Sequence, residues 1–458
     1  MYLLPNTNYL GYSGTIMAEK TANQITDISI IGGGALSGTI KTNSAKNSSV
    51  AVISAALLNK APTTLHNVSR ISDVHRLLDA AVSLGVELDW IDNKTLRLTP
   101  PEVLDIDNLD RDAILRGGRS TILFLGAIAA QHKKFSWPHA GGCKMGERTI
   151  TAHRHSLQDL GIMIHTTEDD YQIDASNRSA NQTTLYESSD TATESILLAA
   201  ATLPGKTTVH FAQANYMVQD LCFFLEKLGV SIDGIGTSKL LINGLDHIEK
   251  EVEYHIGEDP IESMMFICAA GTTNSELTVQ NCPIEFLRRE LITLSSMNLQ
   301  YEVSKEYLSN NGRTKLVDIK VLPSELIASN DKVHAVPYPG INSDNLPFFV
   351  PLATQADGIT LIHDWMWENR AIYFTELNRL GADIRLADPH RVFVNGPTGL
   401  RGGKVVCPPA LRPSMIILVA MLAAEGTSEL HAVAPINRGY EDIFNRLNSI
   451  GARISILG

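Results

Sequence analysis

The chain has 458 residues, which is more than one compact core usually holds, so we expect two or three domains. Apolar residues make up 44% and charged residues 19%, as in an ordinary globular protein, and the formal net charge of −12 argues against a nucleic-acid partner. The five cysteines form no close-spaced pair, which excludes a disulfide framework or a zinc motif and favours a reducing, cytoplasmic location.

The sequence also argues against a membrane protein. Its longest apolar runs, such as 415–424, are far shorter than the ~18 residues that a membrane-spanning helix needs. Residues 1–25 lack the basic segment and apolar core of a signal peptide, and we expect them to form a loosely ordered extension. We therefore predict a cytoplasmic protein without a membrane partner, either a monomer or a weak homo-oligomer.

A short phrase recurs six times along the chain. A helix-like stretch ends in Leu-Gly or a near equivalent, and an alternating strand follows. The glycine suits the left-handed end of a helix, and the alternation suits a half-buried strand. The spacing of 68 to 83 residues indicates one supersecondary unit used repeatedly. The copies begin at Leu84, Leu160, Leu228, Met297, Leu380 and Ile450.

Each unit predicts the order βαβαββ, with a helix of small apolar residues first and an amphipathic helix second. Because the first helices are apolar on nearly every side, we expect them to be buried inside a ring of sheets. The alternative is a string of unrelated α/β segments. The first helices are predicted at 48–58, 196–203, 264–270, 348–356 and 415–424. The second helices are predicted at 72–84, 218–228, 284–297, 371–380 and 440–450.

Six units fit two domains of three units each. The weakest junctions lie near 41–46 and 258–259, so one domain would come from the middle of the chain and the other from its two ends. We predict domain I at 1–45 plus 258–458, with the extension at 1–25, and domain II at 46–257. The two domains would then be joined by two chain segments, and such a hinge suits opening and closing around a substrate.

Lys46 and Asn47 open the first buried helix. A lysine that faces a helix N-terminus is electrostatically unfavourable unless an anion lies between them, which predicts a phosphate or carboxylate site. The alternative is a solvated lysine in a turn. Arg119 likewise precedes an apolar helix at 121–130, and Arg412 precedes the one at 415–424. Cationic residues thus recur at the N-terminal ends of the predicted buried helices.

The loop at 140–148 is rich in glycine, so its backbone can approach a ligand. It contains Cys143, flanked by Lys144 and near Arg148, and these cations would lower the pKa of the thiol and make it reactive. Asp344 follows a turn-rich loop directly before a buried helix, and Arg438 lies just before the last amphipathic helix. Singly, each is as typical of a cap or a surface charge.

Two other patterns are rejected. The glycines at 32–34 do not form a dinucleotide-binding fingerprint, because Ser37 interrupts it and the next helix begins too late. The histidines at 139, 153 and 155 have no cysteine or carboxylate at ligand spacing, so we expect no metal and no cofactor.

Four motifs together resemble the enolpyruvyl transferases, and within them the group that uses UDP-N-acetylglucosamine. The resemblance runs from about Ile28 to the C-terminus and implies two inside-out α/β domains of three repeats each, as in EPSP synthase. The motifs are Ser44-Ala45-Lys46-Asn47, Gly141-Gly142-Cys143 with Gly146 and Arg148, Glu368-Asn369-Arg370, and Arg438-Gly439-Tyr440-Glu441.

The resemblance implies transfer of an enolpyruvyl group from phosphoenolpyruvate to the 3-hydroxyl of UDP-N-acetylglucosamine, with release of phosphate, in peptidoglycan precursor synthesis. Phosphoenolpyruvate carries two anionic groups close together, so several fixed cations must converge on it. By resemblance, the phosphate is held by Lys46, Arg119 and Arg148, and the carboxylate by Arg412 and Arg438.

The resemblance also assigns the remaining roles. Cys143, on a closing lid, is the general acid at the methylene carbon or assists product release, and fosfomycin-type epoxides alkylate it. Asp344 is the base that takes the hydroxyl proton. Asn47 positions the substrate. His153, Met366 and Arg370 are further candidate substrate-binding residues.

The acceptor side departs from the family. Its Arg-Pro-Val-Asp-Leu-His loop is replaced at 148–153 by a sequence without the aspartate, and its Lys-x-Ser-Val-Gly segment by Glu187-Ser188-Ser189-Asp190-Thr191. Acids beside a diphosphate are repulsive. Two alternatives stay open for this reason: an enolpyruvyl transferase for another acceptor hydroxyl, and an inactive nucleotide-sugar-binding regulatory paralogue.

Overall fold

The computed structural model describes residues 26–139 and 149–457. Their strands form six small sheets, three built from 27–41 and 276–456 and three built from 63–255. Neighbouring strands of the first three sheets are Lys404–Val406, Gly426–His431, Asp27–Gly32 and Ile454–Ile456; Gln300–Val303, Lys315–Leu322, Glu276–Pro283 and Ser37–Lys41, with Tyr307–Leu308 beside Lys315–Leu322; and Val333–His334, Gly358–His363, Arg391–Gly396 and Asp383–Asp388.

The other three sheets repeat the pattern. Their neighbouring strands are Val252–His255, Thr63–His66, Leu96–Thr99 and Glu87–Trp90; Lys134–Pro138, Asp170–Asp174 and Met163–Thr166; and Ser231–Asp233, Lys239–Gly244, Gly205–His210 and Gln182–Thr184. Five of the six described sheets contain one parallel pair, as strand–helix–strand units require.

The helices divide into a buried set and a more amphipathic set. The α-helices are Lys46–Ala56, Ser72–Val82, Arg111–Gly117, Phe124–Gln131, Thr151–Asp159, Asp190–Ala201, Tyr216–Lys227, Pro260–Thr272, Arg288–Ser296, Phe349–Ala353, Leu411–Ala423, Ala434–Asn437 and Ile443–Ser449. The 3-10 helices are Gly118–Leu123, Ile284–Phe286, Leu346–Phe348 and Ala371–Leu380.

Two groups of three helices fill the centre of the fold. Pro260–Thr272 packs against Phe349–Ala353 and Leu411–Ala423, and every one of its residues is buried. Its start is fixed by Asp259, whose side chain accepts a hydrogen bond from the Ile261 backbone N–H at 2.8 Å, and by the proline that follows. Because these helices are apolar all round, they lie inside the sheets, which confirms the predicted inside-out architecture.

The second group comprises Lys46–Ala56, Phe124–Gln131 and Asp190–Ala201. Gly126 lets two of these helices approach closely, because a Cβ at that position would lie 2.8 Å from the Cβ of Leu198. Gly126 therefore sets the close approach of Phe124–Gln131 to Asp190–Ala201.

The recurring phrase has the predicted backbone geometry. The glycine that ends the second helix has a positive φ at 85, 161, 229, 381 and 451. In the fourth unit Asn298 takes this place with φ 62°, a conformation that asparagine tolerates better than most residues. The helix ends were therefore readable from the sequence in all six units.

The chain crosses between the two groups of sheets twice. Ser37–Lys41 pairs with Glu276–Pro283, and Val252–His255 pairs with Thr63–His66, so the leading strands of two units are exchanged. The crossing segments lie side by side: the Ala45 N–H donates to the Gly257 carbonyl at 2.8 Å. The predicted domain boundaries fall in these segments, and the division into domain I and domain II stays a prediction.

Several details differ from the sequence expectation. The second unit has a three-stranded sheet, and its first helix is split by the 3-10 helix Gly118–Leu123. The last unit is completed by Asp27–Gly32 from the other end of the chain. Predicted helix 440–450 begins only at Ile443, after Asp442 in a left-handed conformation.

Within the described residues, one helical run, Arg111–Gln131, is long and apolar enough to cross a membrane. In its most apolar window 61% of the residues are buried inside the fold. Core helices of globular proteins meet the same criterion, so this run is weak evidence for a membrane span.

Candidate active site

A cavity of about 330 Å³ lies where three buried helices begin, which is a typical volume for a small-molecule site. Helices Lys46–Ala56, Asp190–Ala201 and Leu411–Ala423 point their N-terminal ends, which carry partial positive charge, towards it. The cations that line it are Lys46, Arg76, Arg116, Arg119, Arg370, Arg412 and Arg438. The carboxylates that line it are Asp73, Asp190, Glu194 and Asp344.

Asp73 joins two of the cations. Its carboxylate lies 2.5 Å from Nζ of Lys46 and accepts a hydrogen bond from Nε of Arg438 at 3.0 Å. Burial raises the pKa of Asp73, but the Lys46 ammonium and the Arg438 guanidinium outweigh it and lower the pKa to about 2. Lys46 and Arg438, which lie almost 400 residues apart in the chain, therefore meet at one point.

Asp344 joins two further cations. Its carboxylate lies 3.1 Å from Nη2 of Arg412 and 3.6 Å from Nη1 of Arg370. Burial raises the pKa of Asp344, and the two guanidinium groups lower it further than burial raises it. At neutral pH this group is therefore an ionised carboxylate.

Arg370 and Arg412 are held in place by other contacts. Arg370 forms a two-pronged pair with Asp364, with N···O distances of 2.6 and 2.8 Å, and donates to the Ser343 carbonyl at 2.6 Å. Arg412 donates to the Tyr440 hydroxyl at 2.8 Å. A planar guanidinium fixed in this way is ready to bind a carboxylate or phosphate without reorganising.

Two smaller contacts complete the cationic side. Nδ2 of Asn47 donates to the Tyr216 hydroxyl at 3.1 Å. Nη2 of Arg119 donates to the Thr149 carbonyl at 2.7 Å, which links Arg119 to the residue that follows the segment 140–148. Arg119 comes directly after Gly118, whose φ of 66° turns the chain into the 3-10 helix.

The structure brings seven of the eleven predicted site residues to this cavity. These are Lys46, Asn47, Arg119, Asp344, Arg370, Arg412 and Arg438. Met366 lines a smaller adjoining cavity. Cys143 and Arg148 lie outside the described residues. The roles assigned to all eleven stay predictions.

His153 does not itself line either cavity, although it contacts Thr191, which lines the larger one. It is buried against helix Asp190–Ala201, with Nδ1 2.8 Å from the Ser195 hydroxyl and Nε2 3.2 Å from the Thr191 hydroxyl. This contact fixes the first turns of that helix.

Sequence reasoning missed Asp73, Glu194 and Asn215, all of which line the cavity. Asp73 is in the first turn of helix Ser72–Val82. The search for charged residues at helix N-termini was confined to the buried first helices, and extending it to the amphipathic second helices would have found Asp73. Glu194 is hidden because the buried helix begins at Asp190, six residues before its predicted start.

Known proteins match almost the whole chain. The family model described as EPSP synthase (3-phosphoshikimate 1-carboxyvinyltransferase) matches residues 30–447. The chain is 34% identical to a UDP-N-acetylglucosamine 1-carboxyvinyltransferase of Bradyrhizobium diazoefficiens, covering 92% of this chain and 96% of that protein. It is 33% identical to the protein of that name from Bacteroides fragilis, covering 93% and 98%.

Solved structures show the same fold. The enolpyruvyl transferase NikO from Streptomyces tendae superposes with a TM-score of 0.82 at 22% identity, over 94% of this chain and 98% of that chain. An EPSP synthase from Acinetobacter baumannii superposes with a TM-score of 0.73 at 19% identity, over 94% and 100%. The chain belongs to the enolpyruvyl (1-carboxyvinyl) transferase family.

Proposed function

We propose that the protein transfers the enolpyruvyl group of phosphoenolpyruvate to the 3-hydroxyl of UDP-N-acetylglucosamine and releases phosphate. The observation that carries the proposal is the convergence of Lys46, Arg119, Arg412 and Arg438 on one cavity. A small anion with two charged groups needs such a set of fixed cations. Relatives that are 31–34% identical over more than nine-tenths of the chain bear the name of this activity.

In the proposed complex the phosphate of phosphoenolpyruvate contacts Lys46 and Arg119, and its carboxylate contacts Arg412 and Arg438. Arg148, by resemblance, is a further phosphate contact. Lys46, Arg412 and Arg438 are already oriented by Asp73, Asp344 and Tyr440, so binding replaces protein partners with substrate partners. Little reorganisation is then needed when charge develops in the transition state.

Asp344 is the proposed base. When the substrate carboxylate takes over Arg412, Asp344 loses the nearer of its two arginine partners, and its pKa rises towards that of an ordinary carboxylate. The acceptor hydroxyl gives its proton to Asp344, and its oxygen bonds to C2 of phosphoenolpyruvate while C3 gains a proton. In the second step C3 loses a proton, the bond from C2 to the phosphate oxygen breaks, and phosphate leaves.

Cys143 is the proposed acid at C3, and its reactivity underlies the predicted sensitivity to fosfomycin-type epoxides. The product would serve peptidoglycan precursor synthesis in the cytoplasm, and hence cell shape and division.

The experiment is phosphate release from phosphoenolpyruvate with UDP-N-acetylglucosamine, comparing the wild type with Asp344→Asn. We expect kcat to fall at least about 100-fold, the usual loss when a general base is removed. Asp107→Asn, an exposed aspartate outside the cavity, is the matched control and should keep wild-type kcat.

Other outcomes would revise the proposal. Release with a different acceptor only would assign the enzyme to that acceptor. Binding of UDP-N-acetylglucosamine without release with any acceptor would favour a regulatory paralogue.

A further inference from the structure

Two carboxyl groups form one wall of the cavity. Asp190 is the first residue of helix Asp190–Ala201, and Glu194 follows one turn later. Residues four apart lie on the same face of a helix, and both side chains line the cavity. This wall consists of acids, whereas most charged residues elsewhere around the cavity are cations.

The wall lacks the partners that buried acids usually have. Glu194 is only 3% exposed, and no hydrogen bond or ion pair holds its carboxyl group within 26–139 and 149–457. Asp190 accepts a hydrogen bond from Nδ2 of Asn215 at 3.1 Å through Oδ2, but its Oδ1 is buried without a partner in the same part of the chain. Unsatisfied buried oxygens that face a cavity indicate that a ligand supplies the missing donors.

The electrostatics agree with this geometry. Burial raises the pKa of Asp190 to about 6 and that of Glu194 well above its usual range. The nearby charge of Asp344 adds to the rise in pKa at Asp190, and that of Asp190 adds to the rise at Glu194. No cation offsets these shifts. Asp73 and Asp344, in contrast, each lie against two cations.

The wall is also held rigidly. Ser189 caps the helix through a hydrogen bond from the Ala192 N–H at 3.3 Å, and His153 lies against Thr191 and Ser195 on the same first turns. Asn215, which binds Asp190, is itself bound by Nδ2 of Asn342 at 3.4 Å. A fixed pair of acceptors at this position can select a ligand group by its chemistry.

A phosphoryl oxygen is a poor match for this wall, because it accepts hydrogen bonds and carries negative charge. A hydroxyl group is a good match, because it donates a hydrogen bond to a carboxyl oxygen. We infer that Asp190 and Glu194 bind hydroxyl groups of the acceptor substrate and exclude its phosphates from this wall. The inference rests on the proposed function, since it concerns the acceptor of that reaction.

The acceptor offers hydroxyl groups from two sources, its N-acetylglucosamine ring and its ribose. Its phosphates would then contact lining guanidinium groups that the proposed phosphoenolpyruvate contacts do not use, namely Arg76 and Arg116. Recognition of hydroxyl groups by carboxyl groups and of phosphates by guanidinium groups would fix the orientation of the acceptor.

The experiment measures equilibrium binding by calorimetry for the wild type, Asp190→Asn and Glu194→Gln. The probes are UDP-N-acetylglucosamine and UDP. Each variant should bind UDP-N-acetylglucosamine about fivefold to tenfold more weakly, as expected for the loss of one hydrogen bond. Glu325→Gln, an exposed residue outside the cavity, is the matched control and should bind like the wild type.

UDP distinguishes the two sources of hydroxyl groups. Unchanged UDP binding would assign the contacts to the sugar ring, and an equal loss would assign them to the ribose. Unchanged or tighter binding of UDP-N-acetylglucosamine by both variants would overturn the inference. Tighter binding would mean that the two carboxyl groups lie next to the phosphates of the ligand, because removing their charge would then remove a repulsion. If the wild type did not bind UDP-N-acetylglucosamine, the proposed function would fail first and the inference with it.

Thermal unfolding separates this role from a structural one. Because the two amides remove buried charge that has no cationic partner, the variants should unfold no earlier than the wild type. A large fall in unfolding temperature, with affinity unchanged for the protein that stays folded, would assign the two residues to folding and contradict the inference.

Discussion

The Asp73→Asn variant tests the electrostatic junction where Lys46 and Arg438 meet. The substitution keeps the size of the side chain and removes the negative charge that holds two cations 2.5 and 3.0 Å away. The variant should therefore leave the cations facing each other without a counter-ion and lower the free energy of unfolding at neutral pH.

The magnitude follows from the pKa of Asp73. A fall from 3.8 to about 2 corresponds to about 2 kcal/mol in favour of the ionised form. Because the Arg438 side chain is 36% exposed, solvent weakens its part of the interaction, so we expect a loss of about 1–2 kcal/mol.

The pH dependence has a definite sign. The pKa of Asp73 is lower in the folded protein than in the unfolded chain, so its contribution is complete above pH 3.8 and is lost as the pH falls towards 2. Urea unfolding at pH 7 should separate wild type and variant by the full amount, and by about half of it at pH 3. Asp107→Asn is the control and should match the wild type at both values. A difference that is absent at pH 7, or equal at the two values, would refute the reasoning.

Three further substitutions test the surroundings of the site and the core. The lysine of Arg370→Lys cannot form the two-pronged pair with Asp364. This variant should lower the free energy of unfolding by about 2–3 kcal/mol in urea titrations, and a change below about 0.5 kcal/mol would contradict this. Phe266→Ala removes a ring from the centre of Pro260–Thr272 and should cost about 3–5 kcal/mol in the same assay; a loss below about 1 kcal/mol would mean that the site collapses around it. Tyr440→Phe removes the hydroxyl that orients Arg412. It should raise KM for phosphoenolpyruvate about fivefold with little change in the free energy of unfolding. An unchanged KM would show that the hydroxyl is dispensable.

The architecture was largely readable from the sequence because its signals are local. A positive-φ glycine or asparagine at the end of each second helix depends only on neighbouring residues, and the six-fold recurrence follows from it. The exchange of Ser37–Lys41 and Val252–His255 between sheets depends on contacts between residues about 190 and 240 positions apart, so the junctions were visible but the pairing was not. Ala371–Leu380 forms a 3-10 helix where an ordinary amphipathic helix was expected, and its pattern alone does not separate the two.

The site was predictable where one residue carries the signal. Lys46 and Arg412 lie in the first turn of a buried helix, and Arg119 lies in the 3-10 helix before one. Such positions predict an anion site without reference to any other residue. Their partners were not predictable, because the pairing of Asp73 with Arg438 is fixed by how the two groups of helices face each other. Glu194 was missed for a different reason. The polar residues at the start of helix Asp190–Ala201 resemble a loop in the sequence, so the helix was predicted to begin only after Glu194.

The most direct test of the central claim is identification of the product that the wild type makes from phosphoenolpyruvate and UDP-N-acetylglucosamine. Mass spectrometry and NMR should show the nucleotide sugar bearing one carboxyvinyl group on its 3-oxygen, together with one phosphate for each product molecule. Consumption of neither substrate, under conditions where both bind, would contradict the account.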